Sequence, residues 1–260
     1  MTEQVVRFEG RDKVGTITLD RPPANSYEIE FMRQLGAAID AVEADDDVRV
    51  VVLQSASEKF FSAGADIKAF LANSTEDNMA MIDYGHEQLS RMAASRKIYI
   101  AAINGHALGG GLEISLACDI RLAKNSRYYL GLPEVTLGIL PGNGGTQRLS
   151  RLIGPNKALE MMITGERVDP QTALNLGIVN QLLDAETFAN DVQAYAHKVA
   201  NGASVAIGSI KRAVYDGMES SLEDGLALER KLIAPLYDTK DAAEGFAAFS
   251  EKRPPVYQGA

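Results

Sequence analysis

The first two thirds of the chain alternate between short apolar runs and longer amphipathic segments. Residues 14–19 alternate apolar and polar positions, as a half-buried strand does, whereas residues 48–53, apart from Arg49, and residues 98–103 are continuous apolar runs. Continuous β-branched runs are typical of strands buried on both faces of a parallel sheet. Residues 28–44 and 75–95 carry apolar side chains at helical spacing. This order of elements predicts an α/β fold.

Two of the predicted helices have recognisable start signals. Asn25, followed three residues later by Glu28, resembles a capping box, in which two side chains satisfy free N–H groups at a helix start. Asp169 before Pro170 combines a favoured N-cap residue with a proline that fits the first helical turn. We therefore expect one helix to begin after Asn25 and another after Asp169.

The last third of the chain loses the strand pattern. One last strand is expected over residues 178–183, and residues 185–250 contain three or four amphipathic segments at helical spacing. A helical region that follows an alternating α/β core serves either as a lid over a site or as an arm for self-association.

Composition narrows the class of protein. The net charge of −9 argues against nucleic-acid binding, which needs a basic face, although a local cationic cluster can still bind an anionic small ligand. No apolar run reaches the roughly 18 residues that cross a membrane, and the N-terminus lacks the pattern of a signal peptide. The single cysteine, Cys118, is expected to be a buried structural thiol. We therefore expect a reduced, cytoplasmic protein without a membrane segment.

The motifs of several common chemistries are absent from the sequence. There is no P-loop and no G-x-S-x-G turn, and His86-Glu87 is followed by Ser90 where a zinc protease carries its second histidine. The other histidines, His106 and His197, are too scattered to indicate a metal site. Any catalysis is therefore expected to depend on carboxylates and backbone amides.

Two glutamates lie in apolar surroundings beside glycine-rich turns. Glu113 follows three consecutive glycines, and Glu134 follows a proline in LGLPEVTLGILPG. Burial raises the pKa of a carboxyl group, and a raised pKa suits proton transfer near neutral pH. Two such groups in one site are able to act as an acid and base pair. The alternative for each is a helix-start carboxylate or a member of a buried ion pair.

Glycine turns follow two of the apolar runs, in SAGADIK at residues 62–68 and in LGGGLE at residues 108–113. A turn that opens a helix exposes backbone N–H groups, and the helix dipole adds a positive field there. Two such N–H groups aimed at one point form an oxyanion hole, which suits a thioester carbonyl that becomes an enolate. The alternative is that the glycines only permit positive φ angles or close packing.

Several longer segments match a known family. They are FFSAGADIKAF, AAINGHALGGGLEISLACDIRLA, LGLPEVTLGILPGNGGTQRLSRLIG and the tail AAFSEKRPPVY. In these segments, which run in the family's order and spacing, the sequence resembles the enoyl-CoA hydratase/isomerase, or crotonase, family. The resemblance covers essentially the whole chain.

The resemblance implies a spiral of ββα units over residues 1–197 and a C-terminal helical trimerisation region over residues 198–260. It implies self-association as a trimer, or as a hexamer built as a dimer of trimers. It also implies a coenzyme A thioester as substrate, with no metal and no cofactor apart from the coenzyme A that the substrate carries.

Carried over by position, the resemblance places the oxyanion hole at the N–H groups of Ala65 and Gly110. The two catalytic acids are implied to be Glu113 and Glu134, and Gly142 matches a glycine near the attacking water. The remaining residues implied to bind substrate or coenzyme A are Arg21, Ala24, Ala63, Asp66, Ile67, Lys68, Gly109, Leu132, Pro133, Phe249 and Lys252.

Both acids are present, which favours an enoyl-CoA hydratase that adds water to a trans-2-enoyl-CoA to give a 3-hydroxyacyl-CoA. The alternatives are a Δ3-Δ2-enoyl-CoA isomerase, a hydratase of a specialised enoyl-CoA, and a non-catalytic acyl-CoA-binding or RNA-binding member. The sequence also departs from the family's usual pattern at four positions that bear on acyl specificity: Pro23, Tyr27, Leu132 and Asn143.

Overall fold

The computed structural model describes residues 3–260. The strands in this range are β1 (Val6–Arg11), β2 (Val14–Leu19), β3 (Val50–Ser55), β4 (Phe60–Ser62), β5 (Ile98–Ile103), β6 (His106–Leu108), β7 (Ile120–Lys124), β8 (Leu130–Gly131), β9 (Arg167–Val168) and β10 (Gln181–Leu183). The helices are α1 (Ile29–Ala44), α2 (Ile67–Ala72), α3 (Thr75–Ala94), α4 (Gly110–Leu116), α5 (Gly145–Ile153), α6 (Pro155–Thr164), α7 (Pro170–Leu176), α8 (Phe188–Ala200), α9 (Ser204–Met218), α10 (Leu222–Ile233) and α11 (Lys240–Glu251). Two 3₁₀ turns cover Glu134–Leu137 and Ala234–Asp238.

The strands form two sheets that the chain visits in turn. The larger sheet has the order β1-β2-β3-β5-β7-β10 and is parallel except for the β1–β2 hairpin. The smaller sheet has the order β4-β6-β8-β9, and only β8 and β9 are antiparallel. The consecutive pairs β3–β4, β5–β6 and β7–β8 each give one strand to each sheet. The chain therefore winds as a spiral, which confirms the predicted α/β fold of ββα units.

The larger sheet is covered on both faces. Along β3, Val50 and Val52 pack into a cluster with the apolar side chains of α8, whereas Val51 and Leu53 pack into the larger cluster that contains residues of α1 and α3. All four side chains are buried. The continuous apolar run in the sequence is therefore explained by a strand whose alternate residues enter two different parts of the core.

The predicted capping box at Asn25 is wrong. The N-cap of α1 is Glu28, whose side chain accepts from the N–H of Glu30. The Asn25 side chain instead fixes the preceding loop, because its Oδ1 accepts from the Arg21 N–H at 2.7 Å and its Nδ2 donates to the Phe61 carbonyl at 3.1 Å. The start signal after Asp169 is confirmed, since its side chain caps α7.

The predicted division between residues 197 and 198 falls inside α8. This helix packs on the larger sheet through Phe188, Val192, Ala196 and Ala200, so its whole length lies with the core. The helices that follow, α9 to α11, begin at Ser204. Cys118 is buried, as predicted. None of the helices in residues 3–260 combines the length and the apolar composition that crossing a membrane requires.

A buried lysine attaches α9 to the core. The Lys211 Nζ donates to Asp119 Oδ2 at 2.9 Å, to the Met92 carbonyl at 3.0 Å and to the Lys97 carbonyl at 2.9 Å. These three acceptors use all three hydrogens of the ammonium group. The Lys211 side chain is only 2% exposed and that of Asp119 is 8% exposed. The ion pair therefore joins α9 to the segment that precedes β7, and the two hydrogen bonds join it to the end of α3 and to the segment that precedes β5.

We expect Lys211→Met to lower the free energy of unfolding by about 3–5 kcal/mol, because it leaves the Asp119 carboxylate buried without its partner. Urea unfolding followed by circular dichroism measures the change. As a control, Lys157→Met removes a lysine whose ion pair with Glu160 is exposed, and its urea midpoint should stay close to that of the unmodified protein. Equal midpoints for the two variants would contradict the anchoring role of Lys211.

Candidate active site

A cavity of about 470 Å³ lies between α2, α3, the start of α4 and the segment that follows β8. Its wall is mostly apolar, and the larger apolar side chains that line it are Ile67, Phe70, Leu71, Ile82, Leu108, Leu137, Ile139 and Leu140. The polar side chains in the wall include Glu113, Glu134, Tyr27 and Asn143. A few polar groups in an apolar cavity are the usual composition of a small-molecule site.

Glu113 lies in the first turn of α4 and is 1% exposed. Its Oε1 accepts from the Asn143 N–H at 2.8 Å and from the Gly145 N–H at 2.7 Å. These donors belong to the glycine-rich turn that begins α5, where backbone N–H groups have no partner within their own helix. Both bonds go to Oε1, so Oε2 is the oxygen left for another group.

The environment of Glu113 acts on its pKa in two directions. Burial raises the pKa, whereas the N–H groups of Gly145 and Asn143 and the positive charge of Arg148 lower it. The net result is a pKa above the ordinary value of a glutamate. This carboxyl is buried, and within residues 3–260 its hydrogen bonds come from backbone N–H groups rather than from a charged side chain, so the sequence-based alternative of a buried ion pair does not describe it.

Glu134 begins the 3₁₀ turn after Pro133 and also lines the cavity. Burial, with a smaller contribution from the negative charge of Glu113, raises the pKa of Glu134 to about 7. Its Oε2 is buried and has no hydrogen-bond partner among residues 3–260. A carboxyl group with this pKa exists in both protonation states near neutral pH, which suits proton transfer.

All three glycines before Glu113 are required by their surroundings. A Cβ at Gly111 would collide with the Ser62 carbonyl oxygen. Gly109 has a φ of 54°, and a Cβ there would lie 3.0 Å from Glu134 Oε1. A Cβ at Gly110 would collide with the Tyr27 hydroxyl. The sequence-based alternative, that glycines permit positive φ and close packing, is therefore correct for these positions, and it does not compete with a role for their N–H groups.

The structure brings the two predicted oxyanion donors to one place. A Cβ on Gly64, which precedes Ala65, would lie 3.0 Å from the Gly110 nitrogen, so the two turns are in close contact. Within residues 3–260, neither the Ala65 N–H nor the Gly110 N–H donates to a backbone acceptor outside its own element. Both residues line the cavity.

Most of the predicted site residues line the same cavity. These are Ala63, Ala65, Ile67, Gly109, Gly110, Glu113, Pro133, Glu134 and Gly142. Residues from four separate segments of the chain therefore form one wall. Their chemical roles stay predictions at this point.

The remaining predicted residues lie outside this cavity. Arg21 and Ala24 line a neighbouring cleft, where Arg21 forms an ion pair with Asp66 at 3.0 Å and also donates to the Ser26 carbonyl. Because Asp66 neutralises its charge, Arg21 is not a free cation. Lys68 lies in the first turn of α2 and is exposed.

Three more predicted residues also lie elsewhere. Leu132 is buried beneath the start of α5 and is absent from the cavity wall. Phe249 is 86% exposed and Lys252 follows the end of α11, and neither lines the cavity within one chain.

Sequence reasoning missed one polar pair in the cavity. Asn143 Nδ2 donates to the Tyr27 hydroxyl at 2.7 Å, and both side chains are buried. The two residues are 116 positions apart, so no local pattern connects them. The available signal was that Tyr27 and Asn143 both stand at positions where the sequence departs from the family's usual pattern.

The fold and cavity define an α/β spiral protein whose cavity combines two carboxyl groups with the backbone N–H groups of two glycine-rich turns. The model of the family described as enoyl-CoA hydratase/isomerase matches residues 9–260. A short-chain-enoyl-CoA hydratase of Clostridium acetobutylicum is 36% identical, and a probable enoyl-CoA hydratase of Bacillus subtilis is 39% identical, each over 95% of both chains.

A crystal structure of an enoyl-CoA hydratase from Bacillus anthracis superimposes with a TM-score of 0.95 at 37% identity, covering 99% of this chain and 100% of that one. The chain belongs to the enoyl-CoA hydratase/isomerase family, which confirms the resemblance that its sequence indicated. The fold prediction that came with the resemblance is confirmed as well.

We expect Glu113→Gln to lower the pKa of Glu134 from its value of about 7, because the substitution removes a negative charge that raises it. The titration of ¹³C-labelled glutamate carboxyl groups by NMR measures this pKa. The Glu134→Gln variant assigns the resonance by its absence. An unchanged titration midpoint in Glu113→Gln would show that the two carboxyl groups do not interact.

Proposed function

We propose that the protein is an enoyl-CoA hydratase that adds water across a trans-2-enoyl-CoA to give a 3-hydroxyacyl-CoA. The observation that carries the proposal is that Glu113, Glu134 and the N–H groups of Ala65 and Gly110 line one apolar cavity. Relatives whose names state this activity support it. The substrate would be a coenzyme A thioester.

The thioester carbonyl would lie between the Ala65 and Gly110 N–H groups. As water adds to the double bond, negative charge develops on this oxygen, and the two donors stabilise the resulting enolate. Gly110 is the first residue of α4, so the positive end of that helix acts on the same point.

The two glutamates would hold the water and move its protons. Glu113, fixed through Oε1, would use Oε2 to take a proton from the water as its oxygen bonds to Cβ. Glu134 in its protonated form would deliver a proton to Cα, which its pKa of about 7 permits near neutral pH. Exchange with solvent returns the proton from Glu113 to Glu134. The reaction needs no metal and no redox cofactor.

The cavity wall determines which acyl groups fit. Beyond the reacting groups it is formed by side chains such as Phe70, Leu71, Ile82 and Leu140, which favour an apolar acyl chain. Lys68, at the start of α2, is the cation beside the cavity that we propose for the phosphates of coenzyme A. Phe249 and Lys252 would act only if a neighbouring subunit brings them to this site.

We expect rapid loss of the enoyl-thioester absorbance of crotonyl-CoA with the unmodified protein. Glu113→Gln and Glu134→Gln should each slow the rate by about 10²–10⁴-fold, the usual contribution of a positioned acid or base. Addition of a chelator should leave the rate unchanged.

Glu160→Gln, on the exposed surface of α6, is the matched control and should retain full activity. A folded protein that does not hydrate crotonyl-CoA or a longer enoyl-CoA would contradict the proposal. Conversion of a 3-enoyl-CoA by that protein would then favour the isomerase alternative.

We also propose that the chain self-associates through its C-terminal helices. Large apolar side chains are exposed on α9 and α10, including Met218 at 78% and Leu222 at 81% exposure. Exposed apolar patches of this kind mark interaction surfaces. The predicted trimer or hexamer would cover this surface.

Light scattering coupled to size exclusion should therefore give three or six times the 28.0 kDa mass of one chain. The double substitution Met218→Glu and Leu222→Glu should reduce the mass, because it places charge on the apolar surface. A mass of one chain for the unmodified protein would contradict the proposal.

A further inference from the structure

The backbone of Tyr27 is attached to the segment that carries Ala65. The Tyr27 N–H donates to the Gly64 carbonyl at 2.9 Å, and the Tyr27 carbonyl accepts from the Asp66 N–H at 2.8 Å. These two bonds form a parallel bridge with Ala65 between them. The position of Tyr27 is therefore fixed relative to one of the two proposed oxyanion donors.

The side chain of Tyr27 extends from this bridge into the reacting centre. Its hydroxyl lies against Gly110, where a Cβ would collide with it, and it accepts from Asn143 Nδ2 at 2.7 Å. The Asn143 N–H donates to Glu113 Oε1. The hydroxyl thus lies where the Gly110 turn and the turn that holds Glu113 meet.

The hydrogen of this hydroxyl has no acceptor within the described part of the chain. The Tyr27 oxygen accepts the bond from Asn143, and among residues 3–260 it donates to no acceptor. Glu134 Oε2, in the wall of the same cavity, is a buried acceptor without a donor in that range. A buried polar group without a partner costs about 1–3 kcal/mol, and an oxygen that both accepts and donates would satisfy the two groups together.

We propose that the Tyr27 hydroxyl, held by Asn143, donates a hydrogen bond to the oxygen that bonds to the acyl Cβ. This inference rests on the proposed hydration, and it adds a side chain to the reacting centre. The ligand group that it recognises is the attacking water and, after reaction, the 3-hydroxyl group of the product.

The bonding capacity of water agrees with this role. A water molecule that donates one hydrogen to each of Glu113 and Glu134 and accepts one bond from Tyr27 keeps one lone pair free. That lone pair forms the bond to Cβ. Tyr27 transfers no proton, because burial and the negative charges of both glutamates raise its pKa far above neutrality. It positions the oxygen as a neutral donor.

The experiment compares two ligands that differ by the 3-hydroxyl group. Calorimetry measures the binding of 3-hydroxybutyryl-CoA and butyryl-CoA to two variants, Glu113→Gln and Glu113→Gln/Tyr27→Phe. The loss of Glu113 should slow consumption of the hydroxy ligand by about 10²–10⁴-fold, so that its binding can be followed. We expect the added Tyr27→Phe substitution to weaken the binding of 3-hydroxybutyryl-CoA by about tenfold, which is the upper part of the range for one hydrogen bond. The binding of butyryl-CoA should weaken by less than about twofold. Equal weakening of both ligands, or no change in either, would overturn the inference.

Two further variants keep the test decisive. Tyr128→Phe removes a buried hydroxyl that donates to the Ile103 carbonyl outside the cavity, and it should leave the ratio of the two affinities unchanged. Asn143→Ala removes the side chain that holds the Tyr27 hydroxyl, so it should reduce the ratio of the affinity for 3-hydroxybutyryl-CoA to that for butyryl-CoA. This second variant keeps the test possible if Tyr27→Phe folds poorly. Turnover by Glu113→Gln at the rate of the unmodified protein would count against the proposed function, whereas the affinity ratio tests Tyr27 alone.

Discussion

The buried carboxyl group of Glu113 is the constraint on which the arrangement around the cavity depends. A carboxylate in an apolar interior must receive hydrogen bonds, and these come from N–H groups of Asn143 and Gly145, about thirty residues further along the chain. The start of α4 is thereby tied to the start of α5. A Cβ at position 145 would lie 2.9 Å from Glu113 Oε1, so this contact also requires glycine there.

The same arrangement makes the two carboxyl groups chemically different. Glu113 has two backbone donors that favour its charged form, whereas one oxygen of Glu134 is buried without any donor in the described chain. The negative charge of Glu113 further favours the protonated form of Glu134. Two carboxyl groups whose surroundings act on them differently take different roles as base and acid. The division proposed for hydration therefore follows from hydrogen bonding rather than from residue type.

The sequence predicted those strands and helices that are long enough for their apolar side chains to show a regular spacing. The bounds of β2 and β5 agree with the predicted ones, because continuous or alternating apolar residues fill both strands. Strand β1 was not predicted, since VRFEGR is an edge strand with exposed charged residues that break the pattern. The strands of the smaller sheet are two or three residues long, too short for periodicity, and only their place in the spiral explains them.

At the site, the sequence was informative for some residues and not for others. The proposed acids and oxyanion donors belong to recognisable motifs, whereas the pairing of Tyr27 with Asn143 has no motif. Backbone N–H groups at Ala65 and Gly110 would serve any acyl thioester, because they contact only its carbonyl oxygen. Selectivity among acyl groups must then come from side chains that contact atoms beyond the carbonyl. Tyr27 enters the cavity wall from the loop before α1, and Asn143 from the turn before α5. A contact between such distant segments is determined by the fold, so only the structure shows that two separate departures in the sequence form one hydrogen-bonded pair.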